Sequence, residues 1–176
     1  MRKFLVISVL ALTAAVALGA QDLVPGPGKP VADGVVAAGE YALVRELSGM
    51  KLHLSLSADG KTLGVGLVAP TKGWVAVGLG SRVMDGAFMV LAFDAGGKPS
   101  VSEQRGAGRS HSPLTGSVLG ASAVKEAGES TTLEFSVPLS GLVAGGKLGL
   151  VLAYGTADNF TSRHAARVGA ELGVKP

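Results

Sequence analysis

From Met50 to Ser57 apolar and polar residues alternate one for one, with Met50, Leu52, Leu54 and Leu56 set against Lys51, His53, Ser55 and Ser57. An extended strand throws successive side chains to opposite faces, so this pattern describes a strand with one buried face. Ala58-Asp59-Gly60-Lys61 supplies turn chemistry, and Leu63, Val65 and Leu67 resume the period, which predicts a β-hairpin. Thr131 to Pro138 repeats the pattern with Leu133, Phe135 and Val137. Gly73 to Gly80 and Met84 to Asp94 are short apolar runs suited to strands buried on both faces. Val101 to Gln104 reads as the partner of the second run, Lys147 to Tyr154 as a further apolar strand, and Arg167 to Val174 as a closing strand. Residues 105 to 128, rich in Gly and Ser, read as containing a long loop. About eight short strands with turn signals between them, and no helical period, predict an all-β, immunoglobulin-like antiparallel β-sandwich, with a β-barrel as the alternative.

Residues 1–20 break this pattern. Arg2 and Lys3 form a positive start, Phe4 to Val16 is uncharged and mostly apolar, and Ala15, Ala17, Gly19 and Ala20 provide small residues for cleavage. These are the parts of a signal peptide, so the chain is expected to be exported, to a periplasm, the cell surface or the medium. The apolar run is shorter than the roughly 20 residues that usually span a bilayer, and no later stretch is expected to span one after cleavage. Residues 21–40 are rich in Pro, Gly and Ala and read as a flexible linker, leaving 41–176 as the domain. The whole chain is formally +3, from 16 Lys and Arg against 13 Asp and Glu, and setting aside Arg2 and Lys3 leaves an excess of one. No run of basic residues follows, so nucleic acid is not an expected partner. The chain has no cysteine, which excludes disulfides, covalent CxxCH haem attachment, cysteine-ligated metal and thiol catalysis.

Motifs for catalysis are weak. Gly66 to Lys72 lacks the ending of a phosphate loop, and Ser110-His111-Ser112 places a base beside hydroxyls without a third group to orient it. No catalytic residue is assigned, and the chain is expected to bind or to carry electrons rather than to catalyse. Two stretches carry more information. Gly73-Trp74-Val75-Ala76-Val77-Gly78-Leu79-Gly80 is followed by Met84-Asp85-Gly86-Ala87-Phe88, and near the end come Tyr154-Gly155, Asp158 and Arg163-His164-Ala165-Ala166-Arg167-Val168-Gly169. Together they resemble the two conserved segments of DOMON domains, sandwich proteins of secreted redox and ligand-binding systems, over roughly residues 41 to 174. In the haem-binding branch of that family the methionine of the first segment and the histidine of the second are the axial ligands of b-type haem. The resemblance therefore implies Met84 and His164 as iron ligands, with Trp74, Gly86 and Ala87 beside the cofactor.

A thioether and an imidazole together fill both axial positions and favour the ferrous state, so the implied function is one-electron transfer to a separate redox partner protein. Met89 lies mid-strand and out of phase with Met84, and is expected in the core. His53 alternates with Leu52 and Leu54 and is expected to face solvent, while His111 is expected in a loop near the site. The competing functions are a non-haem module for a carbohydrate or another small ligand, and a cell-surface interaction domain. Few aromatic residues remain to build a sugar platform, and most sit in strand patterns that read as buried.

Overall fold

The computed structural model describes residues 21–175, so the signal peptide expected over 1–20 lies outside the described residues. Twelve strands follow in order: β1 (Leu43–Leu47), β2 (Met50–Leu56), β3 (Thr62–Ala69), β4 (Val75–Leu79), β5 (Phe88–Asp94), β6 (Pro99–Ala107), β7 (Ser110–Pro113), β8 (Ala121–Ala127), β9 (Ser130–Pro138), β10 (Val143–Ala144), β11 (Lys147–Tyr154) and β12 (Ala166–Gly173). No helix occurs among the described residues. The strands form two antiparallel sheets, one ordered β1-β2-β3-β9-β8 and the other β10-β11-β4-β5-β6-β7. β12 pairs with β11 along its whole length, and β4 takes the opposite edge of β11. The sheets do not close on each other, so the molecule is a β-sandwich and the barrel alternative does not hold.

The alternation read from the sequence sets the core. Met50, Leu52, Leu54 and Leu56 of β2, with Leu63, Val65 and Leu67 of β3 and Leu133, Phe135 and Val137 of β9, form the inner face of the five-stranded sheet. They pack against Val75, Val77 and Leu79 of β4, Phe88, Val90 and Ala92 of β5, and Leu148, Leu150 and Leu152 of β11. The expected long loop over 105–128 contracts to residues 114–120, because β6 extends to Ala107 and β7 and β8 follow it. These strands expose much of their surface, and a polar strand lacks the apolar period that would reveal it.

Residues 21–40 differ from the linker expected of them, because they lie against the sandwich as a strap. Leu23 is 1% exposed. Its N–H donates to Gly173 O at 2.8 Å, and its carbonyl accepts from Lys175 N at 2.9 Å. Further along, Glu134 projects from the outer face of the five-stranded sheet with no solvent exposure. Its Oε2 accepts from the backbone N–H groups of Asp33, Gly34 and Val35 at 3.3, 2.9 and 2.9 Å. Its Oε1 accepts from the Tyr41 hydroxyl at 2.8 Å. Burial, and then the neighbouring carboxylate, push the Tyr41 hydroxyl well above its ordinary range. His53, expected to face solvent, is half-buried with its ring edge-on to Tyr41 at 5.6 Å. Burial, with the Lys51 charge added, pushes its imidazole below the usual value.

Candidate functional site

On the outer face of the seven-stranded sheet the alternate residues form a second, separate apolar cluster. Ala76 of β4, Met89 and Leu91 of β5, and Val151 and Ala153 of β11 all point away from the inter-sheet core. Met89 is buried as expected, but in this outer cluster and not between the sheets, because its phase on β5 turns it outward while Phe88 and Val90 turn inward. These side chains floor a cavity of about 890 Å³ that opens to solvent. Cofactor and small-ligand sites span about 300–1,000 Å³, so the space is of that class.

Trp74 forms one wall and is 7% exposed. Its position follows from the backbone around it. Trp74 N donates to Ala157 O at 3.1 Å, and Trp74 O accepts from Gly155 N at 2.9 Å. Thr71 Oγ1 donates to Gly155 O at 2.7 Å, which ties the segment before β4 to the segment after β11. The indole Nε1–H donates to Ser162 Oγ at 2.8 Å, so the ring is fixed at both ends. Gly155 is required here, because a Cβ at that position would stand 2.2 Å from Trp74 Nε1. Phe160 packs against Phe93 at a centroid distance of 4.8 Å and joins the same wall.

Met84 and His164 line this one cavity, Met84 from the β4–β5 loop and His164 from the β11–β12 loop, and both are half-buried. Gly86 and Ala87 do not line it. Gly86 is exposed at φ 75°, and its N–H donates to Gly106 O at 3.1 Å, which shapes the turn leading out of Met84. Ala87 is fully buried in the outer cluster, where a larger side chain would meet β4 at Gly78. Gly169 of β12 also lines the cavity and lets the backbone after β4 come close, since a Cβ there would stand 2.2 Å from Arg82 O.

His111, expected in a loop, lies on β7 and also lines the cavity. Its Nδ1 is held by Gln104 Oε1, and Gln104 is buried with its Nε2 donating to Ser102 Oγ at 2.9 Å. With one ring nitrogen engaged, Nε2 is the nitrogen left to face a ligand. The sequence also gave no sign of a basic rim. Arg82, Arg109, Arg163 and Arg167 stand around the cavity mouth, with Asp85 as the sole acidic lining residue. Asp85 is itself engaged, its Oδ1 accepting from Gly108 N at 2.7 Å. Among the described residues no group of three or more His, Asp or Glu side chains is gathered as a metal-ion site.

The two sheets define an open antiparallel β-sandwich. Its fold is similar to the cytochrome b domain of pyranose dehydrogenase from Coprinopsis cinerea, with TM-score 0.54, 16% identity, and coverage of 70% of this chain and 76% of that one. It is also similar to the cytochrome domain of Myriococcum thermophilum cellobiose dehydrogenase, with TM-score 0.53, 13% identity, and coverage of 76% and 81%. A carbohydrate binding module of family 9 from Caldicellulosiruptor kristjanssonii, in complex with cellotriose, has TM-score 0.54 and 14% identity, with coverage of 88% and 94%. Identities this low carry the fold alone. No family model and no curated protein matches the chain.

Proposed function

We propose that this chain is an exported, DOMON-like binding domain that holds b-type haem noncovalently and acts as a one-electron carrier. The observation that supports it is the convergence of Met84 and His164, from two distant loops, on a single cavity with an apolar floor. The residues fit the group. A thioether and an imidazole are an established axial pair, the Ala76, Leu91 and Ala153 floor is flat and apolar, and the arginine rim suits acidic substituents. Two neighbours in fold are named as cytochrome domains, which agrees with this assignment.

Bound haem would supply a one-electron couple at the outer face of the sheet. Met84 and His164 would hold it from two different loops, through a thioether and an imidazole. Met89, Leu91 and Val151 would exclude water from one face, and the Trp74–Ser162 bond would keep the wall rigid. Electrons would pass to and from a separate partner protein. Export is supported by the signal-like residues 1–20, and no helix among the described residues is long and apolar enough to cross a membrane. The carbohydrate-module reading has the family 9 likeness in its favour, but Trp74 is too buried and too firmly bonded to offer a flat face to a sugar.

Absorption spectra of the secreted domain, purified after haem loading and recorded before and after dithionite, test the proposal. The expected result is a Soret band that sharpens on reduction, with resolved α and β bands. Met84→Ala should lose the low-spin reduced spectrum, His164→Ala should lose haem, and His111→Ala should keep both. Loss in His111→Ala with retention in His164→Ala would move the imidazole ligand to His111. A folded, colourless protein that takes up no added haemin would overturn the haem assignment.

A further inference from the structure

Resting on the cavity assigned above, we infer that its rim selects the acidic groups of the ligand: the site takes a flat apolar body bearing at least two carboxylates, gripped by Arg82, Arg109, Arg163 and Arg167. Four arginines line the cavity from three separate parts of the chain, Arg82 after β4, Arg109 at the β6–β7 turn, and Arg163 and Arg167 around the start of β12. All four are exposed, and among the described residues none has a carboxylate within ion-pair distance or donates a hydrogen bond. Arg105, by contrast, lies near the same loop but is already used, donating to Gly86 O at 3.2 Å and standing over the Phe88 ring.

This concentration of charge stands out because the chain carries almost no net charge once Arg2 and Lys3 are set aside. Four like charges around one opening repel each other, and among the described residues only Arg82 has a carboxylate acting on it, the Glu171 group that also pairs with Lys147. Asp85, the sole acid at the mouth, spends one oxygen on the Gly108 N–H. The choice of residue also matters. A guanidinium presents a planar fork that matches a carboxylate in two parallel bonds, whereas an ammonium offers a point charge.

The floor restricts what can carry those carboxylates. Ala76, Met89, Leu91, Val151 and Ala153 offer no hydrogen-bonding group, so the body of the ligand is apolar. A neutral sugar matches neither the floor nor the rim. A nucleic-acid strand would need a basic track with exposed stacking rings, and here Trp74 is buried and the arginines ring a pit. A porphyrin dicarboxylate meets both demands.

Metal-free protoporphyrin IX and its dimethyl ester separate this inference from the haem assignment, because neither probe has an iron for Met84 or His164 to ligate. Both are presented to the mature domain from the same dilute detergent, and binding is read by quenching of Trp74, the single tryptophan. Exposed charge pairs are individually weak, so we expect the free acid to bind about tenfold more tightly than the ester, with the gap closing at high salt. Each of R82Q, R109Q, R163Q and R167Q should weaken the free acid by about two- to fivefold, leave the ester unaffected, and melt as the wild type does. Equal binding of acid and ester, or no binding of either, overturns the rim assignment. If haemin still gives the low-spin spectrum in that case, the haem assignment survives alone. If the acid is selected but haemin gives no low-spin spectrum, the rim stands and the axial assignment falls.

Discussion

Asp94 closes β5 and Glu126 lies on β8, and the two carboxylates meet where these strands approach, with Glu126 N–H donating to Asp94 Oδ2 at 3.2 Å. Asp94 is 7% exposed. One oxygen of each group, Asp94 Oδ1 and Glu126 Oε1, is buried with no hydrogen-bond partner among the described residues. Burial first, and then the charges of Asp158 and Asp94, hold the Glu126 carboxyl above its usual value, with Lys72 pulling weakly the other way. A carboxyl whose pKa rises on folding binds its proton more tightly in the native state. Its contribution is intact below the unfolded value of 4.5 and is lost as pH rises through the folded one. Glu126→Gln keeps the shape and removes the charge. It should raise the melting temperature at about pH 7 and leave it unchanged near pH 4, where the wild-type group is protonated in both states. Circular-dichroism melts at the two pH values check this, and an equal shift at both would dissociate the effect from charge. Residues of this kind are hard to find in a sequence, because Asp94 and Glu126 sit in ordinary strand ends and only the fold brings them together. Arg82, Arg109, Arg163 and Arg167 escaped for the same reason, since a single arginine in a loop reads as a solvated charge. Met84, Trp74 and His164 stood out because each lies inside a recognisable segment, and all three line the cavity.

At the scale of elements, alternation was a reliable guide wherever one face is buried in the core, as in β2, β3 and β9. It misplaced the side chains that have a second apolar environment to face. Met89 is the clearest case, because the outer surface of the seven-stranded sheet is apolar too, and the period alone cannot say which apolar face is the core. The strap over the five-stranded sheet was hidden for a different reason. Its main anchors are backbone N–H groups delivered to Glu134, which leave no side-chain period to read. What the sequence does contain is the space made for it. A Cβ on Gly64 of β3 would stand 2.6 Å from Pro30 Cγ, and one on Gly66 would stand 3.0 Å from Tyr41 Cζ. Valine normally suits a strand better than glycine by up to about 1 kcal/mol. Gly64→Val should nevertheless destabilise the domain, because overpacking typically costs about 1–3 kcal/mol and the strap must lift to admit the side chain. Limited proteolysis should then cut within residues 27–37 before the sandwich is attacked. A variant as protease-resistant and as stable as the wild type would show that the strap does not bear on β3.

For the molecule as a whole, the strap makes the two ends of the described chain interdependent. Leu23 bridges Val174 in parallel, Pro25 bridges Leu56, and Lys175 Nζ lies 2.6 Å from Asp22 Oδ2. The last of these is exposed and contributes little, so the energy resides in the buried contacts. A chain begun at Tyr41, where the alternation starts, would lose the burial of Leu23, worth about 2 kcal/mol. It would also strip Glu134 of three N–H donors and open its carboxylate to water, a loss of about 1–3 kcal/mol because water takes the donors' place. Together these are a large share of the stability of an ordinary domain, about 5–15 kcal/mol. The shortened chain should therefore melt at least about 10 °C below one begun at Gln21, or fail to fold cooperatively. Adding Glu134→Gln to it should change little, since the carboxylate is then hydrated and the Tyr41 hydroxyl keeps an acceptor. The same substitution in the longer chain should destabilise, because there the charge is matched to three donors. That difference between the two chains is the informative measurement. A strap that merely adds contact area would give Glu134→Gln the same effect in both chains, whereas a strap that neutralises a buried charge makes the effect depend on whether residues 21–40 are present.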